Sequence, residues 1–372
     1  MTKTSTASEF AVKKVPADQY MSVVDLWAFA YNIPVIDPVG GKDKIREKVR
    51  AFCQDGLSYL VGAFDGTKLA AVAGIIDFDM HLGDRWVKCG GIAGVATYAE
   101  YRRKRLVREL LKNCLATLHD QKVPVSALWP FSYSFYEQLG WSVTDMRHQV
   151  IVNLSALRTV GGDSGAYRSV NKDEMAEALK LHERWSEELN LSLRRNVYRW
   201  QQMMDDPRFR YRLFIHKDGY MLWNLGESQD RSLYVSEWCY MSDQAFADGL
   251  ALISQMDSQF DRARMVLPEV ERILRVVGVG SSPEIKLLPG MMSRVVHLPS
   301  FLQCLPGRDN AEEDLMDPLG VTAPDDDRPV REAGPGALMQ HVTGFWKTPN
   351  PEFSAGLYGV AAHFPPFSIE RY

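Results

Sequence analysis

Four consecutive cationic side chains stand between an apolar stretch and a leucine-rich helical pattern: Arg102, Arg103, Lys104 and Arg105. The stretch before them, 91–97, is small and apolar, which predicts a strand. The leucines behind them recur at helical spacing, at Leu106, Leu110, Leu111, Leu115 and Leu118. A helix N-terminus presents free N–H groups and a partial positive charge, so cations at that point suit a pyrophosphate. The alternative is a solvated basic helix start.

The elements that would position this cluster follow from hydrophobic periodicity. Up to residue 154 we predict β-α-α-β-β-β-α-β-α-β, with hairpin turns at Asp65-Gly66 and Gly83-Asp84 and a last strand over 141–154. This order predicts a mixed sheet with helices on both faces. Glycine and polar residues at 160–166 indicate a linker, and a strand and helix over 167–189 repeat the start without a basic loop. A third unit begins near 291 and includes a polar connection over 306–336.

Composition restricts the class of protein. The chain has 372 residues, 46% hydrophobic and 24% charged, as expected for a globular protein of two or three domains. Its net charge of −4 gives no overall attraction to nucleic acid. There is no apolar run of the roughly 18 to 20 residues that span a membrane, and the N-terminus lacks a signal-peptide core. We therefore expect a cytoplasmic protein without nucleic-acid or membrane partners.

Cysteine and histidine spacing indicates no metal. The five cysteines are scattered and odd in number, and the eight histidines show no paired metal-ligand spacing.

Three segments carry a resemblance to a known family: GVATYAEYRRKRLVRELL, SALWPFSYSFYEQLGWSV and GMMSRVVHLPSFLQCL with the aromatic C-terminus. In these the chain resembles the Eis-like branch of the GNAT superfamily of N-acetyltransferases. The resemblance implies an α/β (α+β) fold of two GNAT-type mixed-sheet domains, the second degenerate, followed by a sterol-carrier-protein-like domain. The corresponding ranges are 1–158, 159–288 and 289–372. It also implies a homo-oligomer, commonly a hexamer.

The same resemblance implies acetyl-CoA as co-substrate. Its pantetheine arm would pair with the backbone around Val95, Ala96 and Thr97, and its pyrophosphate would lie over Arg102, Arg103, Lys104, Arg105, Leu106 and Val107. The family's usual pattern has glycine at the position of Arg105 and a small residue at that of Val107. Glycine permits positive φ and close phosphate contact. We expect Arg105 to be accommodated with helical φ and its side chain directed outward.

Direct transfer needs a proton donor for the departing thiolate. By resemblance this donor is Tyr136. Ser134 and Glu137 form a capping-box pattern that predicts Tyr136 in the first helical turn. The alternative is that Tyr136 only packs in an aromatic cluster with Tyr133, Phe135 and Trp141.

The resemblance assigns a second catalytic group, the C-terminal carboxylate, here that of Tyr372. A carboxyl with a pKa of about 3.5 cannot readily deprotonate an ammonium of about 10.4, so it would orient the amine and take its proton as the intermediate forms. The alternative is a frayed terminus.

The acceptor would approach past the first two helices. Trp27, Phe29 and Tyr31 are candidate substrate-binding residues, although aromatic residues at helical spacing are more often core. Candidate acidic residues for an amine pocket are Asp25, Asp37 and Glu370.

Two functions of different classes remain open. The first is an acetyl-CoA-dependent N-acetyltransferase acting on a primary amine, such as an aminoglycoside-like molecule or a lysine side chain. The second is a non-catalytic protein that binds an apolar ligand or a partner through the C-terminal domain.

Overall fold

The part of the chain that the structure describes is built on two seven-stranded mixed sheets. The computed structural model describes residues 10–31, 50–171, 174–204, 210–225, 230–277, 283–305 and 335–343. The first sheet contains β1 (Ala11–Lys14), β2 (Tyr59–Asp65), β3 (Lys68–Leu82), β4 (Arg85–Thr97), β5 (Val125–Leu128), β6 (Ser142–Val143) and β14 (Met292–Val295). The second contains β7 (Met146–Asn153), β8 (Arg168–Val170), β9 (Tyr211–His216), β10 (Gly219–Asn224), β11 (Ser232–Tyr240), β12 (Arg262–Leu267) and β13 (Glu284–Pro289).

Helices pack on the faces of the sheets and are numbered in chain order. They are α1 (Tyr20–Ala30), α2 (Leu106–Asp120), α3 (Tyr133–Glu137), α4 (Met175–Ser186), α5 (Val197–Met204), α6 (Asp243–Ser254), α7 (Glu271–Val277), α8 (Leu298–Gln303) and α9 (Pro335–Val342). The apolar stripe of α2 packs on one face of the first sheet, and the buried residues of α1 pack on the other. The predicted mixed α/β fold is therefore confirmed.

The strand orders of the two sheets show an internal repeat. The first runs β1-β2-β3-β4-β5-β14-β6, and the second, read from its far edge, runs β8-β9-β10-β11-β12-β7-β13. In each sheet the only parallel pair among the described strands has a helix in its connection, α2 between β4 and β5 and α6 between β11 and β12. The repeat predicted from the strand and helix over 167–189 is therefore a repeat of the strand order of the whole sheet.

The two sheets exchange one strand each. The predicted strand over 141–154 is wrong as a single element, because it breaks at Thr144 and Asp145 into β6 of the first sheet and β7 of the second. Residues 284–295 cross in the opposite direction, from β13 in the second sheet to β14 in the first. Thr144 N donates to Met291 O at 3.2 Å and Gly290 N donates to Asp145 O at 2.8 Å, so the two crossing segments stay paired between the sheets.

This exchange bears on the domain ranges, which remain predictions. β14 falls within the predicted third range, 289–372, yet it lies between β5 and β6 of the first sheet. Residues of α9 join the same core, and Gln340 Nε2 donates to Val143 O at 2.6 Å. The sterol-carrier-like character of 289–372 also stays a prediction, since the structure describes only 289–305 and 335–343 of that range.

Candidate active site

The first sheet opens where β4 and β5 diverge. Their parallel pairing runs from Cys89 opposite Val125 to Ile92 opposite Leu128 and stops there, while β4 continues to Thr97. A bulge at Gly94, whose φ is +62°, bends β4 at this point. A Cβ on Gly94 would come within 2.4 Å of the Trp27 ring, so both the conformation and the close approach require glycine.

The backbone of β4 beyond the bulge faces this opening at alternate residues. Tyr98 N donates to Ala70 O of β3 at 3.1 Å, so Ala96 also faces β3, whereas Val95 and Thr97 face the side that β5 has left. The Tyr31 hydroxyl donates to Val95 O at 2.9 Å, and Trp27 Nε1 donates to Gly94 O at 2.7 Å. The Val95 carbonyl therefore already accepts a hydrogen bond from a side chain of the protein.

Thr97 has an unused polar group at the same edge. Its Oγ1 is buried and has no hydrogen-bond partner among the described residues. A buried hydroxyl without a partner costs free energy, and a ligand that donates or accepts a hydrogen bond would remove this cost. Val95 N–H, Thr97 Oγ1 and the Thr97 backbone thus fit an amide-bearing arm laid along β4.

The basic loop leads from β4 into α2 through two left-handed residues. Arg103 has φ of +64° and Arg105, the residue before the helix, has φ of +62°. The expectation of helical φ at Arg105 is therefore wrong, since the loop places an arginine in the conformation that glycine adopts most easily. The reason is geometric: the tight entry into α2 needs this turn whichever residue supplies it.

Backbone donors at this helix start are available to a ligand. The first helical bond runs from Glu109 N to Arg105 O at 3.3 Å, and no side chain in the described part of the chain caps the helix. The N–H groups of Leu106 and Val107 therefore point out of the helix end. Together with the left-handed loop they form a concave set of donors suited to an anion.

The four cationic residues next to these N–H groups differ in their contacts. Arg102, Arg103, Lys104 and Arg105 are all exposed. The Lys104 ammonium lies over the rings of Phe10 and Tyr101, at 5.1 and 5.3 Å from their centroids. This position favours an aromatic contact for Lys104 and leaves the three arginines as the more available cations.

The equivalent helix of the second half, α6, has an N-terminus that is capped by a side chain. Only Met241 and Ser242 connect β11 to α6. The Ser242 hydroxyl accepts from Ala245 N at 3.1 Å, and Asp243 stands in the first turn. The chain caps this helix itself and places an anion there, so it lacks the features that suit a phosphate.

Tyr136 lies near the opening, on the short helix α3. Ser132 and not Ser134 precedes this helix, and it makes no capping bond, so the predicted capping box is wrong. The residue is 2% exposed, and its ring meets Phe131, Phe135 and Trp141 edge to face at 5.2 to 6.1 Å. The aromatic cluster around Tyr136 is therefore present.

The electrostatic environment keeps the Tyr136 hydroxyl protonated. Burial raises its pKa well above the ordinary value, and the neighbouring Tyr31 raises it further. Tyr31 is 48% exposed as a residue, but desolvation around its hydroxyl raises its pKa to about 12. Two neutral phenols therefore lie near each other, and the Tyr31 hydroxyl is bonded to Val95 O.

The predicted acceptor residues differ in exposure. Trp27 is 4% exposed and belongs to the core, whereas Phe29 is 54% exposed and packs against Tyr98 at 5.5 Å. Tyr98 has a raised pKa, caused first by burial and then by the negative charge of Asp25. Asp37, Glu370 and Tyr372 lie outside the described residues.

In the described part of the chain, no group of three or more His, Cys, Asp or Glu side chains is arranged to hold a metal ion. Among the described helices, none combines the length and apolarity needed to cross a membrane.

Two family models match the chain in sequence. One acetyltransferase (GNAT) domain matches residues 11–144, and a second acetyltransferase (GNAT) domain matches residues 191–295. No curated protein matches the chain in sequence.

Solved structures share the architecture across almost the whole chain. A GCN5-related N-acetyltransferase from Kribbella flavida is 21% identical with a TM-score of 0.75, covering 98% of both chains. A GCN5-related N-acetyltransferase from Anabaena variabilis is 15% identical with a TM-score of 0.79, covering 98% of this chain and all of that one (100%). Eis1 from Mycobacterium abscessus is 14% identical with a TM-score of 0.70 and the same coverage, 98% and 100%. At these identities the similarity shows the fold.

Proposed function

Because the chain carries two GNAT acetyltransferase domains, we propose that the first transfers an acetyl group from acetyl-CoA to a primary amine. The observation that carries this proposal is the contrast between the two helix starts. The first has open N–H groups, left-handed arginines and exposed cations, whereas Ser242 and Asp243 close the second. The proposed stoichiometry is therefore one acetyl-CoA per chain.

In this proposal the co-substrate follows the edge of β4 into the basic loop. The pantetheine amides pair with Val95 N–H and with Thr97, whose Oγ1 has no partner among the described residues. The pyrophosphate is held by the N–H groups at the start of α2 and by Arg102, Arg103 and Arg105. Charge-assisted bonds of this kind are stronger than neutral ones. Ala96 faces β3 and contributes only to the shape of the edge.

The reaction forms a C–N bond and breaks a C–S bond. The neutral amine attacks the thioester carbon, the tetrahedral intermediate collapses, and the CoA thiolate leaves. Tyr136 passes its phenolic proton to the departing sulfur as it takes up a proton from solvent, because a phenol with a raised pKa does not give its proton outright to a thiolate whose thiol has a pKa of about 8.5. The proton lost by the amine leaves through the Tyr372 carboxylate or water.

The acceptor side suits a cation in the described part of the chain. Phe29, Tyr31 and Tyr98 present aromatic rings near the opening, and Asp25 adds an exposed negative charge. Aromatic faces and a carboxylate both attract an ammonium group. This favours a primary amine that is charged in solution, as an aminoglycoside-like molecule or a lysine side chain would be.

The decisive experiment measures free-thiol release from acetyl-CoA in the presence of a panel of amines, with calorimetry of CoA binding. We expect amine-dependent release and one CoA per chain. Changing both Arg102 and Arg103 to glutamate should weaken CoA binding strongly, whereas Arg275→Glu on α7 serves as the control. The proposal would be contradicted if none of the amines caused thiol release, or if two CoA bound per chain. The first of these results would favour the non-catalytic binding protein.

The role of Tyr372 is tested separately. A short extension after Tyr372 moves the terminal carboxylate away, whereas Tyr372→Phe keeps it. We expect the extension to lower turnover much more than Tyr372→Phe, with an N-terminal tag of equal length as control. Equal rates for the extended and wild-type enzymes would leave water as the proton acceptor.

A further inference from the structure

Arg294 is a charged residue inside an apolar core. It lies on β14 between β5 and β6, is 0% exposed, and shares its face of the sheet with Met292 and Val296. Burying a guanidinium costs much more free energy than burying a methionine or leucine of similar length. Packing alone therefore does not account for an arginine at this position.

Arg294 Nε donates to Val295 O of its own strand at 3.3 Å, and two other contacts of Arg294 are with the turn that follows α3. Its Nη1 donates to Leu139 O at 2.7 Å, and its guanidinium lies over the Trp141 ring at 5.0 Å from the centroid. A guanidinium is planar and rigid, so one side chain can donate a bond and stack at the same time.

The segment that Arg294 holds is the one that closes around Tyr136. Leu139 N and Trp141 N both donate to Tyr136 O, at 3.0 and 3.2 Å. Gly140, with φ of +90°, allows this tight turn. The Trp141 ring that Arg294 covers also meets the Tyr136 ring edge to face at 6.1 Å. Arg294 thus contacts Tyr136 twice through intermediaries, once through the backbone turn and once through Trp141.

Helix α3 has little stability of its own. It spans five residues, Tyr133–Glu137, and has no side-chain cap. So short a helix depends on tertiary contacts, because helix nucleation is unfavourable. The position of the Tyr136 hydroxyl is consequently set by what holds the turn after it.

We propose that Arg294 is a positioning residue that sets the Tyr136 side chain in the catalytic site of the first domain. The proposal rests on the proposed function for its kinetic consequence. The residue comes from the exchanged strand, so the second half of the chain contributes to the site of the first half.

The experiment compares Arg294→Met, Arg294→Lys and Trp141→Phe in the full chain, using acetyl-CoA and the best amine of the panel. For Arg294→Met we expect kcat to fall by about 10- to 100-fold, the scale of a small misplacement of a reacting group. The KM for acetyl-CoA should change little, because the basic loop lies at the surface whereas Arg294 is fully buried. Lysine keeps the positive charge and can donate to Leu139 O but cannot stack as a planar group, so Arg294→Lys should restore part of the loss.

A second readout does not depend on activity. In protein labelled with 3-fluorotyrosine, the ¹⁹F signal of Tyr136 is identified by its absence in Tyr136→Phe. Arg294→Met should shift or broaden that signal and leave most other signals in place. If wild type releases no thiol, the proposed function fails while this measurement still tests the role of Arg294.

Arg195→Lys is the matched control for Arg294→Lys. Arg195 is also buried and lies over a tryptophan, Trp200, at 4.9 Å, but on the second sheet's side of the molecule. We expect it to lower the melting temperature without changing kcat or the Tyr136 signal. If Arg294→Met does not fold, the proposal is tested with Arg294→Lys and Trp141→Phe instead. Wild-type kcat and an unchanged Tyr136 signal in the folded Arg294 and Trp141 variants would overturn the proposal.

Discussion

At the scale of single residues, Tyr136 combines burial with a reactive hydroxyl. Its ring contacts would survive the loss of the oxygen, because Phe131, Phe135 and Trp141 all meet the ring edge to face. We expect Tyr136→Phe to keep the fold and CoA affinity but to lower kcat by about 100-fold or more, the usual scale for losing a general acid. Steady-state thiol release and CoA calorimetry measure the two quantities.

The pH profile gives an independent check on Tyr136. Burial raises its pKa above the ordinary value of about 10, so the hydroxyl stays protonated as the pH rises. Activity should therefore rise as the amine loses its proton and should not fall again below about pH 10. A loss of activity between pH 8 and pH 9 that is absent in Tyr136→Phe would assign this tyrosine a lower pKa and contradict the interpretation.

The left-handed Arg105 offers a second test at this scale. A side chain with φ of +62° is strained by about 1 kcal/mol relative to glycine. We expect Arg105→Gly to be more stable than Arg105→Ala by about 1 kcal/mol, since both remove the charge and only alanine keeps the strain. Urea unfolding of the two variants measures the difference.

Lys112, an exposed residue in the interior of α2, provides the control. In a helix interior the order reverses, and Lys112→Gly should be less stable than Lys112→Ala by about 1 kcal/mol. Should alanine be the more stable choice at both positions, the loop does not adopt the left-handed conformation in solution.

At the scale of elements, α4 packs on the second sheet through a buried histidine. His182 Nδ1 lies 2.9 Å from the Tyr220 hydroxyl, which donates to Glu237, and Glu237 pairs with Arg195 through two bonds of 3.0 and 2.9 Å. Burial, and secondarily the charge of Arg195, lower the pKa of His182 to about 3.

This pKa links the stability of α4 to pH. The unfolded chain protonates His182 near pH 6.5 and the folded chain does so only near pH 3, so the unfolded state binds the proton first as pH falls. Stability should drop by roughly 1.4 kcal/mol per pH unit below about pH 6.5 on account of this residue. Unfolding free energies of wild type and His182→Gln at pH 6 and pH 5 measure the effect as a shrinking difference between them.

The range from pH 7 to pH 8 is the control for His182. Neither the folded nor the unfolded state carries the proton there, so the difference between the two proteins should be constant. A difference that stays constant down to pH 5 would show that His182 is not buried in its neutral form.

At the scale of the whole molecule, the strand exchange makes the two sheets interdependent. Without β14, β5 would lose one of its two neighbouring strands and Leu139 would lose its bond from Arg294. We expect residues 1–158 expressed alone to lack a cooperative thermal transition and to bind no CoA. Expressing 1–158 together with 159–372 should restore both, because the two pieces supply all strands of both sheets.

Circular dichroism and calorimetry read out the two properties. Cooperative unfolding and CoA binding by 1–158 alone would show that β14 is dispensable. The homo-oligomer implied by the family resemblance stays a prediction, to be measured by the mass of the full chain in solution.

Elements whose signals are local could be predicted from residue spacing. The Asp65-Gly66 turn, the leucine stripe of α2 and the β4–loop–α2 arrangement depend on residues a few positions apart, so spacing predicts them. For the same reason the basic loop could be located and its departures from glycine noted. The choice of Tyr136 came from family resemblance, and its role remains a prediction.

Long-range packing determines which sheet each strand joins and which side chains surround the site. Periodicity shows that 141–154 and 292–295 are buried, but the partner of a strand lies more than a hundred residues away and leaves no trace in local spacing. The same holds for the Tyr31 bond to Val95 O and for the Arg294 bond to Leu139 O, across 64 and 155 positions. The left-handed φ of Arg105 was missed because the geometry of the loop, and not the preference of arginine, sets it.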